Sequence, residues 1–209
     1  MRPLPRLHAI TDPAVIALED FAARAAGIAA AGSAVALHAR DRRASAAQLT
    51  ALTRRLLALA MPPEASVFVN GRPDLVRALH AHGLQLSAGD LSPRDARLVL
   101  GAVPAWIGRS VHGVDEARAA ADEGADYLLV GNVYETSTHP GRPPTGLALI
   151  ENTARIGLPV IAIGGITPER ALPVYNAGAW GVAAISALWH APDPAAAATR
   201  LLEPWTRNG

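Results

Sequence analysis

Along the 209 residues, short apolar runs of strand length alternate with longer stretches in which apolar positions recur every three or four residues. The short runs predict strands at Leu7–Thr11, Ala34–Ala39, Ser66–Asn70, Leu84–Ser87, Trp106–Val111, Tyr127–Val133, Pro159–Gly164 and Gly181–Leu188. The longer stretches predict helices at Val15–Ala30, Ala44–Ala60, Pro73–His82, Pro93–Leu100, Val114–Glu123, Leu147–Ile156, Pro168–Ala177 and Pro194–Leu202. Ser45 precedes one periodic run, and Thr167-Pro168-Glu169 places a cap residue before a proline at the first helical position. Gly124 and Gly178 stand where helices should stop. Eight βα units in succession favour a closed (β/α)₈ TIM barrel, one domain over residues 1–209, and an open doubly wound sheet is the alternative.

A barrel places its chemistry at the carboxyl ends of its strands. Asp12 follows the first strand, and His38 and Arg40 share one face at the end of the second. The third ends in Asn70-Gly71-Arg72, the fourth in Ser87 with Asp90 beyond it, and the fifth carries Ser110 and His112 on one face. The sixth ends Gly131-Asn132-Val133-Tyr134, the seventh Ile163-Gly164-Gly165 and the eighth Ile185-Ser186. The glycine pair runs straight into a helix start. Glycine lets backbone approach an oxyanion closely, and a helix N-terminus suits a phosphate. Gly164, Gly165, Ile185 and Ser186 are therefore the expected phosphate site, unless the glycines merely turn the chain. The loop Glu135–Thr145 is longer than a barrel needs and reads as a substrate cover. Thr136, Ser137 and Thr138 there could donate to an anion, and His139 could add a charge or a base.

Composition narrows the chemistry. With no cysteine, disulfides, thiolate zinc sites and thiol nucleophiles are excluded. The formal charge of +1, and a run no longer than Arg40, Arg42 and Arg43, give no nucleic-acid surface. The start is not a signal peptide, and no apolar stretch reaches membrane-span length, so a cytoplasmic protein is expected. Of the histidines, His80 and His82 read as surface residues, His190 as structural and His8 as a satisfied core residue. His38, His112 and His139 are expected at the mouth, where imidazole suits proton transfer. No spacing suggests zinc.

The strand-end segments, taken together, resemble the thiamine phosphate synthase/TenI superfamily. They are Leu7-His8-Ala9-Ile10-Thr11-Asp12, Val69-Asn70-Gly71-Arg72, Leu84-Gln85-Leu86-Ser87, Ile107-Gly108-Arg109-Ser110-Val111-His112, Gly124-Ala125-Asp126-Tyr127, Gly131-Asn132-Val133-Tyr134-Glu135-Thr136, Ala162-Ile163-Gly164-Gly165-Ile166-Thr167-Pro168, Ala177-Gly178-Ala179 and Ala184-Ile185-Ser186. The resemblance implies a thiazole phosphate ligand, with Arg40, Asn70, Ser110, Thr136 and Thr138 as substrate-binding residues.

Within the superfamily, the synthase couples a pyrimidine diphosphate to a thiazole phosphate with Mg²⁺ and releases pyrophosphate. Its second strand usually reads Gln-Leu-Arg-x-Lys, where this chain has Ala36-Leu37-His38-Ala39-Arg40. Its metal-holding Asp after the third-strand Asn is Gly71 here, and the Lys of its strand-six loop is His139. Asp90 matches the second metal carboxylate but would stand alone, holding Mg²⁺ only if the synthase reading applies. These departures point the expectation to the TenI branch: a thiazole tautomerase, an isomerase needing no metal or cofactor. The catalytic His of that branch is Asn132 here, which cannot shuttle a proton at neutral pH, so His139, His112 or His38 is expected to take its place. The alternatives are the synthase itself and a non-catalytic thiazole-phosphate binder or regulator. The expected partner is the small molecule, with no nucleic acid and no membrane, and a homo-oligomer is left open.

Overall fold

The computed structural model describes residues 2–60, 64–136 and 143–207. The strands are β1 (Leu7–Ile10), β2 (Val35–Ala39), β3 (Ser66–Asn70), β4 (Gly83–Leu86), β5 (Trp106–Val111), β6 (Tyr127–Val130), β7 (Val160–Ile163) and β8 (Gly181–Ala184). They pair in sequence order, all parallel, and β8 closes onto β1 with Leu7 beside Val182, so the open-sheet alternative is excluded. Around them run α1 (Pro13–Ile16), α2 (Phe21–Ala29), α3 (Ala46–Ala60), α4 (Pro73–Leu79), α5 (Pro93–Leu100), α6 (Val114–Asp122), α7 (Gly146–Ala154), α8 (Pro168–Asn176), α9 (Ser186–Trp189) and α10 (Pro194–Arg207).

Strand alternation divides the apolar residues between two cores. One face of each strand packs outward on the helices, as Leu7, Leu37, Val67, Leu84, Ile107, Leu128 and Val182 do. The other face fills the barrel with Ile10, Ala36, Phe68, Tyr127, Leu129, Ile161 and Ala183. A small barrel has no room for large residues at every inner position. A Cβ on Gly83 would lie 2.5 Å from the Phe68 ring, and one on Gly108 would lie 2.0 Å from Tyr127 Cζ. Large rings thus pair with glycines on the neighbouring strands. Asp126 ties this ring of strands to the outer layer: one carboxylate oxygen accepts from the Ile107 amide and from Arg97, each at 2.7 Å.

The barrel floor is closed by the chain's first residues. Trp106 Nε1–H donates to the Arg2 carbonyl at 2.9 Å and Trp180 Nε1–H to that of Leu4 at 3.2 Å. Arg6 lies 3.4 Å over the Trp180 ring and donates to its carbonyl, while Leu4 is buried beneath the inner core.

The structure corrects several expected boundaries. The single first helix is two, because Asp12 caps α1 through the Val15 amide at 2.9 Å and the chain restarts at Asp20, beside Arg24. The third predicted helix, Pro73–His82, stops at Leu79, where His80 takes a left-handed φ of 52°. The long last strand ends at Ala184 and gives way to α9, so Ser186 opens a helical turn instead of ending a strand. The last helix continues through Pro204 because Trp205 is buried on the same face as Leu201 and Leu202. His82 is not a surface residue. It is half-buried, its Nδ1 accepts from the Val67 amide at 2.9 Å, and burial, then Arg2, lowers its pKa to about 4. His190 is exposed beyond α9, and His8 is wholly buried as expected. Among the described residues no helix is long and apolar enough to cross a membrane.

Gly108→Ala should lower the unfolding free energy by about 1–3 kcal/mol in urea titrations, because the added methyl overlaps the Tyr127 ring. Combining it with Tyr127→Leu should recover part of the loss. An equal loss in both backgrounds would show that the ring is not the obstruction.

Candidate active site

At the carboxyl ends of the strands the barrel opens into a cavity of about 1260 Å³. The strand-end residues reach it because inner-face alternation carries each strand's last inward residue to the rim. Asn70, Ser110, Asn132, Thr136, Gly164, Gly165, Ile185, Ser186, His112, Arg40 and Asp90 all line it, so the site predicted from the sequence is brought together in one place. Thr138 and His139, with Ser137, lie outside the described residues.

The wall built by β7 and β8 has the character of an anion cradle. Gly164 and Gly165 have φ values of 100° and 62°, which side-chain-bearing residues rarely adopt. A Cβ at Gly164 would meet Asn132 Cβ at 2.5 Å, and one at Gly165 would meet the Glu135 carbonyl at 2.4 Å. The glycines therefore have a packing role as well: they let the segment after β6 close in, with the Val133 amide donating to Ile163 and the Tyr134 amide to Gly164. The carbonyl of Gly165 is taken by Arg170 at 2.6 Å, and Arg170 also stacks over Tyr134. The amide N–H groups of Gly164, Gly165, Ile185 and Ser186 donate to nothing among the described residues. Pro168 begins α8 directly behind the glycines, and Ser186 begins α9.

The opposite wall carries three guanidinium groups, with the carboxylates of Asp41 and Asp90 beside them. Arg40 and Arg42 follow β2, and Arg72 follows β3. Thr11 fixes the first of these: its hydroxyl accepts from the Arg40 amide at 3.0 Å and donates to the carbonyl of His38 at 2.8 Å. Burial, then Arg42, lowers the Arg40 pKa, yet a guanidinium stays charged at any physiological pH. Arg72 pairs with Asp74. Arg42, Arg72, Arg170 and Thr11 were not among the expected site residues. Arg42 belonged to a run too short to suggest a surface, and Arg72 was visible at a strand end, but how far a side chain reaches is not written in spacing.

Between the walls lie the histidine positions. His38 does not reach the mouth as expected. It is wholly buried beneath it, with Nδ1 3.1 Å from Asn70 Oδ1, so only Asn70 faces the cavity. His112 does reach the rim, exposed, with its amide on Glu116 and its Nδ1 on the Gly131 carbonyl. Asn132 is buried, and its amide donates to the Tyr134 carbonyl at 3.3 Å. Ser110 accepts from Gln85, which in turn accepts from the buried Tyr127 hydroxyl at 2.7 Å. Asp90 Oδ2 accepts from both the amide and the hydroxyl of Ser87 at 2.7 Å, which folds the loop after β4 onto itself.

A family model described as thiamine monophosphate synthase (TMP-TENI) matches residues 7–188. The chain belongs to that family. Members similar to it include the thiamine-phosphate synthase of Thermus thermophilus, 43% identical over 155 residues that span 73% of this chain and 74% of the relative. The thiamine-phosphate synthase of Moorella thermoacetica is 41% identical, with 86% of each chain covered. A solved thiamine phosphate pyrophosphorylase from Pyrococcus furiosus superposes with a TM-score of 0.82 at 27% identity, over 97% of this chain and 96% of that one.

These relatives overturn the expected assignment to the TenI branch and to an isomerase: the similar family members are synthases, which are transferases. The tautomerase reading rested on four replaced residues and on a likeness of Asn70-Gly71-Arg72, Gly108-Arg109-Ser110-Val111-His112 and Val133-Tyr134-Glu135-Thr136 to that branch. Of the replaced residues that are described, Ala36, His38 and Gly71 lie in β2 or just after β3, on one side of the barrel, while the glycine wall across from them is complete.

If the glycine wall is the phosphate site, titrating inorganic phosphate into ¹⁵N-labelled protein should move the amide resonances of Gly164, Gly165, Ile185 and Ser186 together and saturably. Shifts confined to the arginine wall would place the anion elsewhere.

Proposed function

We propose that the protein is a thiamine phosphate synthase that joins a pyrimidine diphosphate to a thiazole phosphate and releases pyrophosphate. The observation that carries this reading is the pairing of two anion-binding walls across one cavity. Unpartnered amides of Gly164, Gly165 and Ser186 face the guanidinium groups of Arg40, Arg42 and Arg72. A volume of about 1260 Å³ exceeds the usual single-ligand pocket of roughly 300–1,000 Å³. One phosphorylated ring fits the glycine wall, and a diphosphate fits the arginine wall. The names of the curated relatives support the same reaction.

The chemistry then divides between the walls. The glycine wall holds the thiazole phosphate by its phosphate and so fixes where its ring lies, turning a two-substrate encounter into a positioned one. Asn70 and Ser110 sit between the walls with polar groups for the rings. As the bond between the two ring systems forms, the bond to the departing pyrophosphate breaks and negative charge builds on the leaving oxygen. Arg40, held by Thr11 and partly desolvated, stabilises that charge. This gives the second-wall guanidinium groups the task for which the family's strand-two Arg and Lys are suited.

The family resemblance also implies Mg²⁺. The residues present do not form a site for it. Gly71 leaves Asp90 as the lone carboxylate there, one Asp90 oxygen is already engaged by Ser87, and among the described residues no cluster of three His, Cys, Asp or Glu side chains could hold a metal.

Supplied with both substrates, the purified protein should release pyrophosphate and thiamine phosphate in equal amounts. Arg40→Ala should lower kcat by about 10²–10³-fold, with part of the rate regained in Arg40→Lys. No coupled product with both substrates present would overturn the assignment. In calorimetric titrations the protein alone should show no saturable Mg²⁺ binding, whereas Gly71→Asp, which adds a carboxylate beside Asp90, should create it. Tight Mg²⁺ binding by the unaltered chain would show that Asp90 recruits further ligands.

A further inference from the structure

A line of hydrogen bonds runs up the barrel interior and serves no step above. The Pro5 carbonyl lies 3.3 Å from His8 Nε2, His8 Nδ1 lies 2.8 Å from His38 Nε2, and His38 Nδ1 lies 3.1 Å from Asn70 Oδ1. Both imidazoles are wholly buried, and Asn70 alone lines the mouth. A carbonyl oxygen stands at each end of this line, and neither can donate. Satisfying all three contacts needs an N–H at each end and a further proton between the rings, three protons on four nitrogens. That is one imidazole and one imidazolium.

Two neutral imidazoles hold only two protons, so a neutral pair must change one contact. The Pro5 carbonyl is backbone and cannot turn. Asn70 can: a half-turn of its amide presents –NH₂ to His38 in place of oxygen, with almost the same outline. The neutral line then runs from Asn70 to His38 to His8 to Pro5, every donor pointing downward, and the Asn70 carbonyl oxygen faces the mouth. Adding a proton turns the amide back, and Asn70 shows its –NH₂ to the mouth instead.

Burial holds the pair toward the neutral form. It lowers the pKa of His38 to about 4, with the Asn70 contact opposing and Arg40 adding to the decrease. It lowers that of His8 well below the ordinary value, with His38 adding and the Pro5 contact opposing. The groups facing the pair from the surrounding strands are Tyr127 on β6, whose hydroxyl burial keeps neutral, the uncharged Phe68 ring on β3, and Arg40 beyond β2.

Asn70 stands among Arg40, Gly71 and Arg72, with the Asp90 carboxylate against Gly71, and the guanidinium groups suit this wall to an anion. An anion there prefers the –NH₂ face and adds a negative charge above the pair, and both effects favour the protonated line. We propose that the buried His8–His38 pair takes up one proton when an anion occupies the arginine wall, with Asn70 as the turning element that couples the two events. The coupling is reciprocal: acid tightens anion binding, and the anion draws in the proton. It does not depend on which reaction the mouth carries out.

Sulfate is a suitable probe because it does not itself titrate between about pH 5 and 7, where an unperturbed imidazole does. With ¹⁵N-histidine labelling, the free protein at neutral pH should show a single N–H on each ring, at Nε2. Saturating sulfate at the acid end of that range should give His38 an N–H at both nitrogens. Sulfate affinity should rise as pH falls, by up to tenfold per pH unit. His38→Phe, buried beneath the mouth, should still bind sulfate but lose that pH dependence, and Asn70→Ala, at a half-buried rim position, should bind it more weakly and lose the dependence too. The proposal is overturned if Asn70→Ala keeps the full pH dependence, if His38 gains no second N–H with sulfate bound, if the free rings carry their protons at Nδ1, or if sulfate does not bind beside Asn70. None of these outcomes bears on whether pyrophosphate is released from the two substrates.

Discussion

Closing eight short strands into a ring leaves an interior just wide enough for side chains, and that interior must be filled without clash. Here the filling is done by a few large rings set against strands that carry glycine. Phe68 occupies the space that Gly83 leaves, and Tyr127 the space that Gly108 leaves. Tyr127 is thereby brought to Gln85, and Gln85 to Ser110 at the rim, so a packing solution deep in the barrel sets the position of a polar group in the mouth. The same crowding puts two imidazoles in contact beneath Asn70.

The site depends on this frame through strand alternation alone. Each strand delivers one or two inward residues to its carboxyl end, and the loops add the rest. What the loops add differs across the mouth. After β7 and β8 the backbone itself is the working surface, with Gly164 and Gly165 at its centre. After β2 and β3 it is the long arginine side chains. A rigid amide cradle suits a group that must be held in one place, and mobile guanidinium groups suit one whose charge changes as it leaves.

Much of this was legible in the sequence, and the exceptions have identifiable causes. The eight βα units, their order and the rim positions followed from periodicity and helix-start residues. The last strand was read too long because residues 181–189 are almost all apolar or small, and such a run does not distinguish strand from buried helix. His82 was misplaced because its partner, the Val67 amide, is fifteen residues away. His38 was expected in the mouth because alternation fixes the side of a strand but not the depth along the barrel axis. The TenI assignment failed because it gave the replaced residues more weight than the likeness of the chain as a whole, which is to synthases. Arg40, Arg42 and Arg72 keep guanidinium groups on the arginine wall although the family's usual strand-two residues are gone.

The sealed floor has a consequence for traffic through the interior. With Leu4 beneath the inner core and the first residues pinned by Trp106 and Trp180, the barrel is a blind well and not a tube. Solvent meets the inner polar groups from one end only. Any hydron that leaves His8 for bulk water must pass His38 and then the rim at Asn70, so the deeper ring exchanges no faster than the shallower one. Whatever sits in the mouth acts as a stopper, and the isotope exchange rate of the buried imidazoles becomes a clock for how often the ligand departs.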